Sequence, residues 1–130
     1  MKTSKVFVYG TLKVGGRFDY PVFSKARKKV EEAVIKGSLY SLGSFPTVKI
    51  KEKGQVHGEV HTFSPDDMAV VMSRMDSIEG YNAECPEKGL YNRHQVKAKL
   101  PDGSVTTVWV YEYNGPVTKA ERIESGVWEI

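Results

Sequence analysis

The sequence predicts an α+β fold in which strands dominate and helices are few. Three observations carry this prediction. Most apolar segments are short, alternate in polarity and stop at Gly- or Pro-containing turns. One segment, Met68 to Met75, repeats its apolar residues at i, i+3, i+4 and i+7. Near the carboxyl end, His94–Leu100 and Val105–Tyr113 flank Pro101-Asp102-Gly103-Ser104, a sequence suited to a hairpin turn.

Taken in order, Val6-Phe7-Val8-Tyr9 is an apolar, β-branched and aromatic run that ends at Gly10 and reads as a buried strand. Gly10 to Gly16 follows as a glycine-bounded loop, and a short helix is expected near Asp19 to Lys28. The next stretch is ambiguous. Val30, Ala33 and Val34 have helical spacing, whereas Ala33, Ile35, Gly37, Leu39 and Ser41 have strand spacing, and a strand is expected over Glu32–Leu42. A turn at Gly43–Pro46 leads to a strand over Thr47–Ile50, and Lys53-Gly54 turns the chain again. Gln55–Phe63 then alternates, with Val56, Gly58 and Val60 on one face and His57, Glu59 and His61 on the other. Ser64-Pro65-Asp66-Asp67 carries a capping residue, a proline suited to the first helical position, and two carboxylates for the positive helix end. Met68, Val71, Met72 and Met75 form the core-facing stripe that follows, and Gly80 is expected to end the helix.

With 130 residues, 40% hydrophobic and 27% charged, the chain has the composition of one ordinary globular domain, expected to span 1–130. No apolar run approaches the roughly 20 residues that cross a membrane. Met1 to Lys5 lacks the pattern of a signal peptide, and Cys85, the single cysteine, permits no internal disulfide. A cytoplasmic setting is the expectation. The net charge is +3, with Lys25, Arg27, Lys28, Lys29 and Lys36 interrupted by Glu31 and Glu32. This cluster reads as a solvated helix face rather than a nucleic-acid patch.

Several chemistries are excluded by motif. The Gly10–Gly16 loop lacks the Gly-Lys-Ser/Thr ending of a phosphate loop and the three-glycine dinucleotide fingerprint. No Gly-x-Ser-x-Gly elbow is present, and Cys85, beside Pro86, reads as an incidental thiol. His57, Glu59 and His61 share a strand face and could bind a metal ion. Their outer pair, however, would stand roughly 13 Å apart at the backbone, an awkward span for one ion.

Two segments far apart carry a more specific signal: Phe7-Val8-Tyr9-Gly10-Thr11-Leu12, a strand ending in a tight loop, and Glu79-Gly80-Tyr81 at a helix end. The first resembles the signature loop of the γ-glutamylcyclotransferase-like (AIG2-like) family, and the second resembles the context of its catalytic glutamate. Gly37–Gly43 with Phe45-Pro46, Val56-His57-Gly58-Glu59-Val60, Tyr91-Asn92-Arg93, Trp109-Val110-Tyr111 and Ser125-Gly126-Val127-Trp128 follow in family order. Val127 departs from the pattern, standing where many members have Asp.

The resemblance implies a small mixed, barrel-like sheet with few helices. It also implies cyclisation of the glutamyl part of a γ-glutamyl amide to 5-oxoproline, with release of the free amine. Glu79 would be the general acid–base group, and Tyr9, Gly10, Thr11, Leu12 and Tyr111 would bind substrate. The implied partner is a small γ-glutamyl molecule; no metal, cofactor, nucleic acid or membrane is called for, and oligomeric state is not legible. A turn of backbone N–H groups could hold the substrate α-carboxylate, and burial near a helix end would raise the Glu79 pKa. The alternatives are a non-catalytic ligand-binding relative, a nucleic-acid- or protein-binding module using the basic stretch, and a metal-dependent hydrolase using His57, Glu59 and His61.

Overall fold

The computed structural model describes residues 3–129. Five strands, β1 (Lys5–Val8), β2 (Arg27–Lys36), β5 (Gln55–Phe63), β6 (Tyr91–Lys99) and β7 (Val105–Tyr113), form a closed barrel in the order β1-β5-β2-β6-β7. Neighbours are antiparallel except where β1 meets β7 in parallel, Val6 opposite Trp109. A second sheet, in the order β4-β3-β8, joins β3 (Ser38–Ser41), β4 (Pro46–Lys49) and β8 (Glu121–Arg122).

The uninterrupted apolar run at the start of the chain has a physical reason. Strand β1 is buried on both faces. Phe7 and Tyr9 join Ala33, Ile35, Val56, Val60, Ala98, Val108 and Val110 in the barrel core. Val6 and Val8 point the other way, into a cluster with Phe63, Met68, Val71, Met72 and Met75. Helix α2 (Met68–Glu79) supplies those methionines, so the helical stripe packs on the outside of the barrel. Gly80 ends α2 in the left-handed conformation, φ 66°, with its N–H directed to the Asp76 and Ser77 carbonyls.

Four expectations require correction. The helix near Asp19–Lys28 is only α1 (Pro21–Ser24), and the chain is already in strand β2 at Arg27. The basic stretch is therefore a strand, not a helix face. The strand pairs with β5 from Arg27 opposite Phe63 to Lys36 opposite Gln55, and this long ladder overrides the helical spacing. The single strand expected over Glu32–Leu42 breaks at Gly37, where φ is 149° and a Cβ would lie 2.8 Å from Val48 Cγ2. There the chain leaves the barrel for the small sheet. Finally, Ser64–Asp67 forms a turn closed by Asp67 N–H to the Ser64 carbonyl (2.9 Å), and Asp67 rather than Ser64 is the N-cap of α2. No described helix is long and apolar enough to cross a membrane.

Candidate active site

Where β1 ends, the chain turns sharply, with Lys13 N–H donating to the Gly10 carbonyl at 3.0 Å. Gly10 is fixed by a close approach: a Cβ there would stand 2.5 Å from Cγ of the stiff Pro46 ring. The N–H groups of Gly10, Thr11 and Leu12 find no acceptor among the described residues. Such uncommitted amides in a turn favour an anion.

This loop borders a cavity of about 320 Å³. Tyr9, Gly10, Thr11, Leu12, Tyr111 and Glu79, all singled out from sequence, line it together. Glu79 reaches it as the last residue of α2, a position set by the helical stripe that seats α2 on β1. No hydrogen bond or ion pair engages its carboxylate among the described residues. Burial pushes the Glu79 pKa up from 4.5 to about 7, and no neighbouring charge opposes the shift.

The surrounding tyrosines are committed. Tyr9 donates its hydroxyl to the Tyr111 carbonyl, Tyr111 to Asp76 Oδ1 at 2.6 Å, and Tyr91 to the Pro46 carbonyl at 2.8 Å. Burial drives all three phenol pKa values well above their ordinary value, so these rings remain neutral. Asp76, one helical turn before Glu79, is faced by Arg93 at 3.5 Å, and the Arg93 guanidinium lies over Tyr81 and Trp109 at 4.6 and 5.0 Å. The Tyr111 hydroxyl proton thus points to Asp76, and only its oxygen lone pairs remain for the cavity.

Sequence reasoning missed Phe18, Phe45, Pro46 and Tyr91 in the lining, together with Arg17 at its edge. The Phe45-Pro46 and Tyr91 motifs were visible in the sequence, but nothing local says that they meet the Tyr9–Leu12 loop. A support for that loop was also missed. Glu59 Oε1 accepts the Val14 N–H at 3.0 Å and meets His61 Nε2 at 2.8 Å. These contacts hold the Glu59 carboxyl below its ordinary range despite partial burial. His57 is exposed and His61 fully buried, and among the described residues no group of three His, Cys, Asp or Glu side chains is placed to hold a metal ion. Cys85 directs its thiol to Glu87 at 3.0 Å, outside the cavity lining. The closing segment meets the loop from the far side, Lys13 Nζ donating to the Trp128 carbonyl at 2.9 Å. Val127 borders a separate groove, so its departure from the common pattern leaves this cavity untouched.

The same architecture occurs in solved structures. The protein ytfP of Escherichia coli is 27% identical, superposes with a TM-score of 0.67, and aligns over 95% of either chain. YkqA of Bacillus subtilis is 25% identical with a TM-score of 0.68; the match covers 96% of the present chain but only 39% of YkqA. An AIG2-like protein of Mus musculus is 22% identical, with a TM-score of 0.64 over 89% of this chain and 80% of the other. A structure described as gamma-glutamyl cyclotransferase shares the fold at 15% identity and a TM-score of 0.56, over 91% of this chain and 68% of that one. No curated protein matches the chain. The family profile described as gamma-glutamyl cyclotransferase, AIG2-like, matches residues 6–130, and the chain belongs to that family.

Proposed function

We propose that the protein cyclises the glutamyl part of a γ-glutamyl amide, releasing 5-oxoproline and a free amine, with Glu79 as the proton carrier. The observation that carries this reading is an unpaired carboxylate of pKa about 7 sharing one mostly apolar cavity with three uncommitted backbone N–H groups.

In this reading the substrate α-carboxylate lies on the Gly10, Thr11 and Leu12 amides. The rings of Tyr9 and Tyr91 wall the glutamyl chain, which folds until its α-nitrogen meets its own γ-carbonyl carbon. Holding the two together replaces an encounter in solution with a five-membered ring closure, and effective molarities for such oriented reactions reach about 10⁵ M or more. Ionised Glu79 takes a proton from the α-ammonium, and the freed amine attacks the carbonyl to form the new C–N bond. Protonated Glu79 then gives a proton to the departing nitrogen as the old C–N bond breaks. The ring nitrogen sheds a second proton, which the released amine takes up at neutral pH. No water and no external nucleophile is consumed. A carboxylate with pKa near the working pH serves both halves of this transfer.

The test is 5-oxoproline release from a panel of γ-glutamyl amides by the wild type and by Glu79→Gln. Turnover by the wild type with a loss of at least about 10²-fold in the variant supports the assignment. Equal activity in the two proteins removes Glu79 from the reaction. A folded protein inactive on every member, yet binding a γ-glutamyl compound, is a binding protein on this fold.

A further inference from the structure

The loop that follows β1 divides its N–H groups between two uses. Those of Gly10, Thr11 and Leu12 border the cavity and are uncommitted among the described residues. Two further along each donate to a carboxylate: Val14 to Glu59 Oε1 at 3.0 Å, and Gly15 to Asp19 Oδ2 at 3.2 Å. None of these four residues lines the cavity, so the bracing lies outside it.

Each carboxylate is itself fixed from a barrel strand. Asp19 Oδ1 takes Arg27 Nη1 at 2.8 Å, at the start of β2, and both side chains are largely buried. Glu59 Oε1 meets His61 Nε2 at 2.8 Å, two residues along β5. His61 is fully buried, and Nδ1 of its ring has no hydrogen-bond partner among the described residues. A buried imidazole with one nitrogen unpaired is costly to keep, and the use the structure gives it is to hold Glu59. The Glu59 carboxylate is ionised at neutral pH and only accepts, so His61 Nε2 donates. Strand β5 is pressed against the point from which the loop departs: Glu59 stands opposite Val8, and a Cβ on Gly58 would lie 2.4 Å from the Val8 carbonyl oxygen. The loop is thereby tied to the barrel through side chains as well as through its own strand.

We propose that Glu59, held by His61, and Asp19, held by Arg27, are positioning residues that set the Gly10–Leu12 amides to receive the substrate α-carboxylate. This rests on the cyclotransferase reading above. The α-carboxylate takes no part in the bond changes, so the loop holds it alike in the ground and transition states. Loosening the loop therefore weakens binding and leaves the chemical step, which raises KM with little change in kcat.

The test is steady-state kinetics on the γ-glutamyl amide turned over fastest, together with inhibition by 5-oxoproline as a measure of equilibrium binding. Glu59→Ala should raise both KM and the 5-oxoproline inhibition constant by about 10-fold, the scale of one hydrogen bond to a charged group, with kcat nearly kept. Glu59→Gln should recover most of that loss, because both contacts are made by Oε1 alone and an amide oxygen there can accept both. Asp19→Asn, whose amide oxygen can serve Arg27 or Gly15 but not both in the present arrangement, should shift KM and the inhibition constant the same way by a smaller factor. Unchanged KM and inhibition constant in Glu59→Ala overturn the proposal and leave the cyclotransferase reading intact. A fall in kcat alone assigns Glu59 to the chemical step and overturns it too, as does a Glu59→Gln variant as impaired as Glu59→Ala. If Glu59→Ala does not fold, Asp19→Asn decides: wild-type KM and inhibition constant in that variant overturn the proposal. Inactivity of the folded wild type on the whole panel defeats the parent reading, and this inference with it.

Discussion

Replacing Glu79 by Gln should stabilise the folded protein at alkaline pH. Glu79 titrates near 4.5 when the chain is unfolded and at about 7 when folded, because burial disfavours its charged form. Between these values the folded state holds a proton that the unfolded state has released, so stability falls as pH rises through this window. The effect is complete above the folded pKa. At about 1.4 kcal/mol per pH unit of displacement, the wild type loses about 2.5 kcal/mol between pH 5 and pH 8 from this one group. The Glu79→Gln variant carries no such penalty, keeps the shape of the side chain, and breaks no hydrogen bond or ion pair seen among the described residues. Urea denaturation of both proteins at several pH values isolates the term as the difference between their curves. That difference should grow steadily from pH 5 to pH 8 in favour of the variant, while 5-oxoproline release is lost. Parallel stability curves would refute the reasoning, since they would mean that Glu79 ionises as freely in the folded protein as in the unfolded chain.

Two further substitutions probe the walls of the cavity. Gly10→Ala places a methyl group 2.5 Å from the Pro46 ring; relief requires the loop or the ring to move, so stability should fall by about 1–3 kcal/mol, with a rise in KM measured on the best γ-glutamyl amide. Tyr111→Phe removes the donor to Asp76 Oδ1, and should lower the urea-derived stability by about 1–2 kcal/mol. Because that hydroxyl proton is committed to Asp76, KM should change less for Tyr111→Phe than for Gly10→Ala.

Those parts of the molecule whose cause is local were legible before the fold was known. The β1 run ending at Gly10, the methionine stripe of α2, the Gly80 stop and the β6–β7 hairpin each follow from a few neighbouring residues. Strand β2 was only half legible, because its helical and strand spacings were both present and the choice was made by its ladder with β5. In the site, the resemblance pointed to Glu79 and the Tyr9–Leu12 loop. The contacts that hold them are long-range: Tyr9 to Tyr111, Tyr91 to Pro46, Glu59 to Val14. No spacing rule connects residues so far apart, and the commitment of the Tyr111 hydroxyl to Asp76 could not be read without coordinates.

The walls of the cavity are built from two kinds of chain. Tyr9, Tyr91, Tyr111 and Glu79 sit on barrel strands, at a strand end or on the last turn of a helix, and hydrogen bonds from the three phenols lock that wall together. Arg17, Ser44 and Leu90 sit exposed on connecting segments. Substitution in the first group disturbs the barrel itself, whereas substitution in the second alters a rim on which little else depends. Such a division lets mutation explore new outer chemistries at small cost in folding, while the inner wall stays under the selection that keeps the barrel intact.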